Sequence, residues 1–218
     1  IKCKKIYISP RNKSLAKKLE RKFKKVIIAK DNQEIVDKVN WVFLSVTPTV
    51  GEQIIKDLKF KSSQKIISFI STITLSQLKK MIKVKCSIVR AIPLPFISLK
   101  KGPVPICPPN KSVKSFFDKI GTTIEIKNEK LSLNFWVIAW MMASYYDMQR
   151  AMSEWLTKRG IKKLDAQKYI TSLFLALSED AVVNSKVDLR NLVKESQTPK
   201  GLNEQGLKEL TKKHQNLG

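Results

Sequence analysis

The stretch Trp41-Val42-Phe43-Leu44-Ser45-Val46 decides the fold class, because it is apolar at nearly every position and rich in β-branched and aromatic residues. Such a strand is typical of a parallel sheet that helices cover on both faces. Similar runs occur along the first half of the chain, at residues 5–9, 26–29, 65–69 and 86–92. Amphipathic helical patterns alternate with them, at residues 14–23, 32–39, 51–58 and 74–81. The alternation predicts a doubly wound, Rossmann-like α/β sheet, which residues 104–107 and 122–127 complete.

After Asn128 the strand pattern ends, and a long helix is predicted over residues 131–158, followed past Gly160 by a second over residues 164–183. The first helix carries apolar side chains on more than one face, so it needs partners on several sides. A second copy of the chain supplies them most simply, and a monomeric helical bundle is the alternative. We therefore expect a Rossmann-like dinucleotide-binding domain over residues 1–128 and an all-helical dimerisation and substrate-binding domain over residues 129–218.

The net charge of +24 raises the possibility of a nucleic-acid partner. The type of cation argues against it, since recognition of bases and phosphates favours arginine. Of the 42 basic residues, the arginines are Arg11, Arg21, Arg90, Arg150, Arg159 and Arg190. The lysines are spread over solvent-facing helix positions instead of forming one stripe with interleaved aromatics. We therefore expect no nucleic-acid partner. We also expect no membrane partner, because the longest apolar run, residues 135–143, is too short to span a bilayer.

The residue inventory excludes several common chemistries. Cys3, Cys86 and Cys107 lack the spacing of a zinc site or a disulfide framework, and a reduced, cytoplasmic compartment fits them best. The single histidine, His214, lies four residues from the end of the chain, and HExxH, GxSxG and P-loop motifs are absent. We therefore predict no metal and no catalytic side chain. Hydride transfer from a cofactor on a Rossmann sheet is the leading possibility, since there the protein only positions the reactants.

A GxGxxG fingerprint is absent as well. Either the protein binds no dinucleotide, or the first strand and the phosphate loop lie upstream of Ile1. The residues after the first readable strand favour the second interpretation. Where an NAD site has Asp or Glu, this chain has Ser9, Arg11 and Lys13, which suit the 2′-phosphate of a dinucleotide. Ordinary solvated charges are the alternative reading of Arg11 and Lys13.

A second candidate site opens the last helix, at Thr198-Pro199-Lys200-Gly201-Leu202-Asn203. Pro199 and Gly201 predict a turn, and Asn203 is a good capping residue. A helix start presents unpaired N–H groups and a positive dipole end, which suit a carboxylate or a phosphate. The turn is therefore either an anion site or simply a helix cap.

Taken in order, these segments resemble the pyrroline-5-carboxylate reductase family, starting at that family's second strand and continuing over nearly the whole chain. The resemblance is carried by Ile8-Ser9-Pro10-Arg11-Asn12, Asp31-Asn32-Gln33-Glu34-Ile35-Val36, Val42-Phe43-Leu44-Ser45-Val46-Thr47-Pro48, Ile66-Ile67-Ser68-Phe69-Ile70, Val89-Arg90-Ala91-Ile92-Pro93, Leu189-Arg190 and Thr198-Pro199-Lys200-Gly201. It implies an NADPH-dependent oxidoreductase of proline biosynthesis that reduces a cyclic imine and forms an interlocked homodimer or a larger assembly of dimers.

The resemblance also implies which residues form the site. The cofactor-binding residues would be Ser9, Arg11, Asn12, Asn32, Val46, Thr47, Pro48, Ala91 and Pro93. The substrate carboxylate would be held by Lys200, Gly201, Leu202 and Asn203. Arg11 and Asn12 correspond to the family's phosphate contact, and Asn32 corresponds to an asparagine near the adenosine ribose.

The chain departs from the family pattern at several of these positions. The family's Ser-Pro-Gly-Gly-Thr-Thr loop is Thr198-Pro199-Lys200-Gly201-Leu202-Asn203 here, so both threonine hydroxyls are missing. The family's Val-Lys-Pro is Val46-Thr47-Pro48, and its small residues near the nicotinamide are replaced by the bulky run 137–142. The alternative is accordingly a non-catalytic structural or regulatory dimer of the same fold that has lost its substrate-binding residues.

Overall fold

The computed structural model describes residues 3–215, and the chain divides into two compact units whose boundary lies between Ala139 and Trp140. The N-terminal unit contains seven described strands. They are β1 (Ile6–Ile8), β2 (Val26–Ile28), β3 (Trp41–Leu44), β4 (Lys65–Ser68), β5 (Ser87–Ala91), β6 (Pro103–Cys107) and β7 (Thr122–Glu125). Its described α-helices are α1 (Lys13–Lys22), α2 (Asn32–Lys38), α3 (Pro48–Asp57), α4 (Leu75–Ile82), α5 (Lys111–Phe117) and α6 (Glu129–Ile138), and a 3-10 helix spans Pro95–Leu99.

The strands form two sheets. The larger has the order β3-β4-β5-β6-β7, in which β3, β4 and β5 are parallel, β6 is antiparallel to β5, and β7 is parallel to β6. Strands β1 and β2 form a separate parallel pair, with Ile6 opposite Val26. The predicted Rossmann-like α/β class is confirmed, and its strands are divided between two sheets, with the break between β1 and β3.

Helices cover the larger sheet on both faces, as its apolar strands predict. Successive side chains of a strand point to opposite faces, and β4 illustrates this. Ile66 packs in a core cluster with Ile55 of α3 and Leu78 of α4, whereas Ile67 packs in a second cluster with Phe117 of α5. All five side chains are nearly or fully buried.

Helix α2 joins the strand pair to the larger sheet. It packs against β1, and its Val36 lies in the same core cluster as Ile66. The buried side chain of Gln64, just before β4, donates hydrogen bonds to the carbonyl oxygens of Val36 (2.5 Å) and Val39 (2.9 Å) at the end of α2. The orphan carbonyls of this short helix are therefore satisfied by the sheet on which it packs.

The C-terminal unit is helical, as predicted. Its helices are α7 (Met141–Thr157), α8 (Lys163–Val183), α9 (Leu189–Glu195) and α10 (Leu202–Gln215). Helices α7 and α8 pack against each other, with Ser153, Ala166 and Ile170 buried and the Tyr145 ring 5.5 Å from that of Phe174.

The single helix predicted over residues 131–158 is interrupted. Helix α6 ends at Ile138 and α7 begins at Met141, with a turn at Ala139 and Trp140. Trp140 keeps right-handed helical dihedral angles (φ −60°, ψ −23°). The sequence pattern shows no break here because residues 131–158 contain neither glycine nor proline. Within residues 3–215, no helix is both long and apolar enough to cross a membrane.

Candidate functional site

The first group of candidate residues follows the parallel strands of the larger sheet. Val46, Thr47 and Pro48 come after β3, and Ala91 and Pro93 lie at and after the end of β5. Because β3, β4 and β5 are parallel, these residues share one edge of the sheet, the edge at which open α/β sheets bind ligands. The side chain of Ala91 is fully buried in the core, so it can offer a ligand only backbone atoms.

The start of α3 gives this edge its electrostatic character. Thr47 is the N-cap residue, its side chain makes no capping hydrogen bond, and Pro48 stands at the first turn. No acidic residue lies in that turn, so the positive end of the helix dipole is not neutralised locally. The missing side chain of Gly51 lets α3 lie close to the loop after β4, since a Cβ atom at residue 51 would lie 3.1 Å from Cδ1 of Ile70. The geometry suits a polar or anionic group held against the helix start.

The second group lies on the strand pair, around the start of α1. Asn12 is the N-cap, and its Oδ1 accepts a hydrogen bond from the Leu15 amide (3.0 Å). The Arg11 amide donates to Ser9 Oγ (3.4 Å), and the Arg11 side chain is exposed. The first turn contains no acidic residue, so this helix start presents a cation and a positive dipole end together. Asn32 is the first residue of α2, after the N-cap Asp31, and this helix start carries a second acidic residue, Glu34.

Buried Arg90 and partly exposed Glu129 form an ion pair at the same edge as Pro48 and Pro93. Arg90 Nη1 donates to Glu129 Oε1, which also accepts a hydrogen bond from the Leu75 amide (2.8 Å). Arg90 belongs to a segment that carries the family resemblance, but Glu129 was not predicted. Its only signal is an acidic residue in the first turn of a helix, which usually indicates no more than a favourable dipole contact.

The third group is the turn before α10, in the C-terminal unit. Lys200 has a left-handed backbone (φ 61°), the Gly201 amide donates to the Thr198 carbonyl (2.8 Å), and a Cβ on Gly201 would lie 2.8 Å from that oxygen. The turn therefore requires glycine. Its Lys200 amide donates to Oε2 of Glu204 (2.6 Å), so an internal carboxylate already lies against the turn.

The predicted capping role of Asn203 is wrong. Helix α10 begins at Leu202, and the carbonyl of Gly201 accepts its first hydrogen bond, from Gln205 (3.1 Å). Asn203 thus lies inside the first turn, and its Nδ2 donates to the Ser196 carbonyl at the end of α9 (2.7 Å). The pattern placed the helix start correctly to within two residues, which is the usual uncertainty of such boundaries.

Charge and hydrogen bonding set the pKa of Glu204 in this turn. The hydrogen bond from Lys208 Nζ lowers the pKa of the carboxyl group, and the Lys200 amide lowers it further. The carboxylate form is therefore the one that the turn stabilises. Around the Arg90 pair, burial raises the pKa of the Cys107 thiol and the charge of Glu129 raises it further.

A groove of about 780 Å³ lies between α7 and α8, and its walls include Tyr146, Gln149, Ser153, Gln167 and Thr171. None of the predicted cofactor or substrate residues lines it. In the part of the chain that the structure describes, His, Cys, Asp and Glu side chains form no group of three or more that could hold a metal ion.

Comparison with known proteins connects these observations. Residues 1–73 match the family model described as NADP oxidoreductase coenzyme F420-dependent. No curated protein matches the chain. Among solved structures, the chain is similar to the pyrroline-5-carboxylate reductase of Coxiella burnetii, with a TM-score of 0.79, 21% identity, and coverage of 97% of this chain and 82% of that chain.

Two further reductases are similar. The 1-pyrroline-5-carboxylate reductase of Streptococcus pyogenes has a TM-score of 0.77 and 23% identity, covering 95% of this chain and 82% of its own. The pyrroline carboxylate reductase of Plasmodium falciparum, solved with NADP bound, has a TM-score of 0.74 and 19% identity, covering 88% and 76%. The resemblance inferred from the sequence is confirmed in the architecture: the chain has the fold of the pyrroline-5-carboxylate reductases.

Proposed function

We propose that the protein is an NADPH-dependent reductase of the pyrroline-5-carboxylate type, which transfers a hydride to a cyclic imine and forms proline. The observation that carries this proposal is the placement of the candidate residues at strand ends and helix starts, in the fold shared with these reductases. Ligands of open α/β sheets bind at the carboxyl ends of the strands. Residues 1–73 match an NADP oxidoreductase family, which favours the same cofactor.

The start of α1 suits the phosphate end of the cofactor. In this proposal Ser9, Arg11 and Asn12 bind the 2′-phosphate, and Asn32 lies near the adenosine ribose. Two features support the assignment: the Arg11 side chain is exposed, and the first turn of α1 contains no acidic residue. A cationic side chain beside unneutralised helix amides fits a phosphate dianion.

Residues at the edge of the larger sheet suit the nicotinamide end. Val46, Thr47, Pro48 and Pro93 would line this part of the cofactor site, and Ala91 would contribute its backbone. When bound, NADPH supplies the hydride. The residues of the chain bind and orient the cofactor, and we assign no proton transfer to any side chain.

The turn before α10 would hold the carboxylate of the imino-acid substrate. Gly201 allows a close approach of the backbone, and the amides of Leu202 and Asn203 lie in the first turn of α10. Glu204 already accepts from the Lys200 amide, so a substrate carboxylate must displace it or bind beside it. A protonated imine is already an electrophile, so a held carboxylate and a cofactor within reach suffice for catalysis.

We further propose that residues 1–128 are a dinucleotide-binding domain whose sheet takes one more strand, between β1 and β3. In the order 3-2-1-4-5-6 of dinucleotide-binding sheets, the first strand separates the second from the fourth. The separate β1-β2 pair, linked to the larger sheet through α2, fits this order with its first strand unfilled.

Residues 129–218 would form the dimerisation and substrate-binding domain of a homodimer. Helix α8 supports this, because apolar residues lie on two opposite sides of it. Ala166 and Ile170 are buried against α7, while Leu164, Leu175 and Val182 on the other side are 62%, 52% and 72% exposed. A helix that is apolar on opposite sides needs a second partner.

The three free thiols fit a reducing compartment, and we propose the cytoplasm.

Titration calorimetry of NADPH and NADH into the full-length protein tests the cofactor, and an assay of NADPH oxidation with 1-pyrroline-5-carboxylate tests the substrate. The proposal expects NADPH binding and imine-dependent oxidation. Absence of NADPH binding would refute it. Binding without reduction would leave the non-catalytic dimer as the function.

A further inference from the structure

The ion pair between Arg90 and Glu129 connects four segments at the cofactor edge. Its side chains are 4% and 26% exposed. Arg90 lies on β5, and its Nη2 donates to the Ser71 carbonyl in the loop after β4 (2.5 Å). Glu129 opens α6, and its Oε1 accepts from the Leu75 amide, which opens α4. Two side chains thus fasten the loop 71–75 and two helix starts to one strand.

The chemistry of the pair suits positioning better than stabilisation. A buried ion pair often contributes little net stability, because both charges lose their hydration. The planar guanidinium group of Arg90 can, however, address two acceptors at fixed angles, here the Glu129 carboxylate and the Ser71 carbonyl. Glu129 also places its negative charge at the start of α4, where the helix dipole favours it. The geometry therefore fixes the position of the loop relative to β5.

The place of the pair connects it with the reaction. Arg90 stands immediately before Ala91 and three residues before Pro93, which we assigned to the nicotinamide end of the site. The loop 71–75 follows β4, between the β3 and β5 ends that carry the remaining residues of that group. A displacement of this loop or of Pro93 would change the alignment of the nicotinamide and the imine.

We infer that Arg90 and Glu129 are positioning residues, which hold the loop 71–75 and the start of α6 so that hydride donor and imine meet in reactive alignment. The inference rests on the proposed function. Neither residue is assigned a contact with substrate or cofactor. Their effect should therefore appear in kcat and leave the NADPH Kd, which the phosphate end dominates, nearly unchanged.

Three variants of the full-length protein test the inference. R90K keeps the charge without the planar fork, E129Q keeps an acceptor for Leu75 without the charge, and R90M/E129L removes both charges at similar volume. We expect kcat to fall by about tenfold or more in all three, because small misplacements of reacting groups have large rate effects. The NADPH Kd should stay within about twofold of wild type. The double variant should recover thermal stability but not kcat.

If the pair only stabilised the fold, kcat would instead rise and fall with Tm across the three variants. Recovery of kcat together with Tm in R90M/E129L, or wild-type kcat in R90K, would overturn the inference. E52Q is the matched control, since Glu52 forms an exposed ion pair with Lys56 (3.5 Å) on α3. We expect its kcat to equal that of wild type.

Hydrogen–deuterium exchange without ligand separates this inference from the proposed function. Loss of the pair should speed exchange at the Leu75 amide in E129A and across residues 71–75 in R90K, with no change in E52Q. Unchanged exchange would refute the fastening of the loop whatever the enzyme does. A wild-type protein that binds no NADPH refutes the proposed function. An R90K variant that reduces the imine as fast as wild type refutes only the positioning role.

Discussion

Arg11 stands beside the N-cap of α1, where its exposed guanidinium group and the helix start can act on one phosphate. Replacing it with glutamate substitutes repulsion for a phosphate contact. We therefore expect R11E to weaken NADPH binding by at least about tenfold, equivalent to about 1.4 kcal/mol, with little effect on NADH. Titration calorimetry of both cofactors measures the difference.

R21E is the matched control for R11E. Arg21 lies in the last turn of the same helix and is exposed, so its replacement makes the same change in net charge away from the helix start. We expect R21E to affect both cofactors equally and weakly. An equal loss of NADPH and NADH affinity in R11E would contradict the phosphate role of Arg11.

Two glycines allow a paired test of packing. Gly51 is buried, and a Cβ atom there would meet Ile70, Val46 and Ile73 side chains at 3.1 to 3.5 Å. We expect G51A to lower the free energy of unfolding by about 0.5–2 kcal/mol, because overpacking of about 1–3 kcal/mol exceeds the about 0.5–1 kcal/mol that alanine gains over glycine inside a helix. It should also displace α3 from Val46, at the nicotinamide end, and thereby lower kcat. Denaturant unfolding and a steady-state assay measure the two effects.

Gly206 provides the comparison, because it lies within α10 and a Cβ atom there meets nothing within 4 Å. Glycine inside a helix costs about 0.5–1 kcal/mol relative to alanine, so we expect G206A to stabilise the protein by that order. If G51A stabilised the protein as much as G206A, α3 could shift away from the loop after β4 without strain, and the close approach of α3 to that loop would not be required.

The turn before α10 has a pH dependence that follows from Glu204. Its carboxyl group has a lowered pKa in the folded protein, because Lys208 and the Lys200 amide donate to it. The resulting stabilisation is fully present above the ordinary glutamate value of 4.5 and is lost as the pH falls through the lower folded value. We expect the Tm of E204Q to lie below that of wild type at neutral pH and to converge with it between about pH 5 and 3.

A Tm series over that pH range tests the turn, with E209Q as control. Glu209 pairs with Lys212 on the exposed side of the same helix (3.2 Å), away from the turn. We expect the E209Q curve to run parallel to that of wild type. A constant gap between E204Q and wild type at every pH would mean that the carboxylate makes no specific contribution to the turn.

Strand and helix patterns predicted most elements, since apolar runs and 3.6-residue periodicity report burial directly. Three features could not be read this way. The interruption between α6 and α7 involves neither glycine nor proline, so it has no sequence signal. The role of Glu129 depends on Arg90, 39 residues away, and on the fold that brings them together. The N-cap residue of α10 is Gly201, whose carbonyl oxygen accepts the first intrahelical hydrogen bond, whereas the pattern favoured Asn203.

For the whole molecule, the helical unit is the part for which we expect a partner. Leu164, Leu175 and Val182 are spaced eleven and seven residues apart, close to whole numbers of helical turns, so they form a discontinuous stripe along α8, with Lys168 and Thr171 between Leu164 and Leu175. The stripe lies opposite the side that packs on α7, and its aliphatic side chains are more than half exposed. Exposed aliphatic side chains aligned on one helix face indicate a surface suited to a partner.

We therefore expect the wild-type protein to sediment as a dimer or a larger assembly at micromolar concentration. L175E, which places a charge in the middle of the stripe, should shift it towards monomer by at least about tenfold in Kd, since a buried unpaired charge opposes association. K186E is the control, because Lys186 is exposed beyond the end of α8 and its replacement also adds negative charge. Analytical ultracentrifugation measures both. If L175E assembled like wild type, this stripe would not be the interface, and another apolar face of the helical unit would have to meet the second copy.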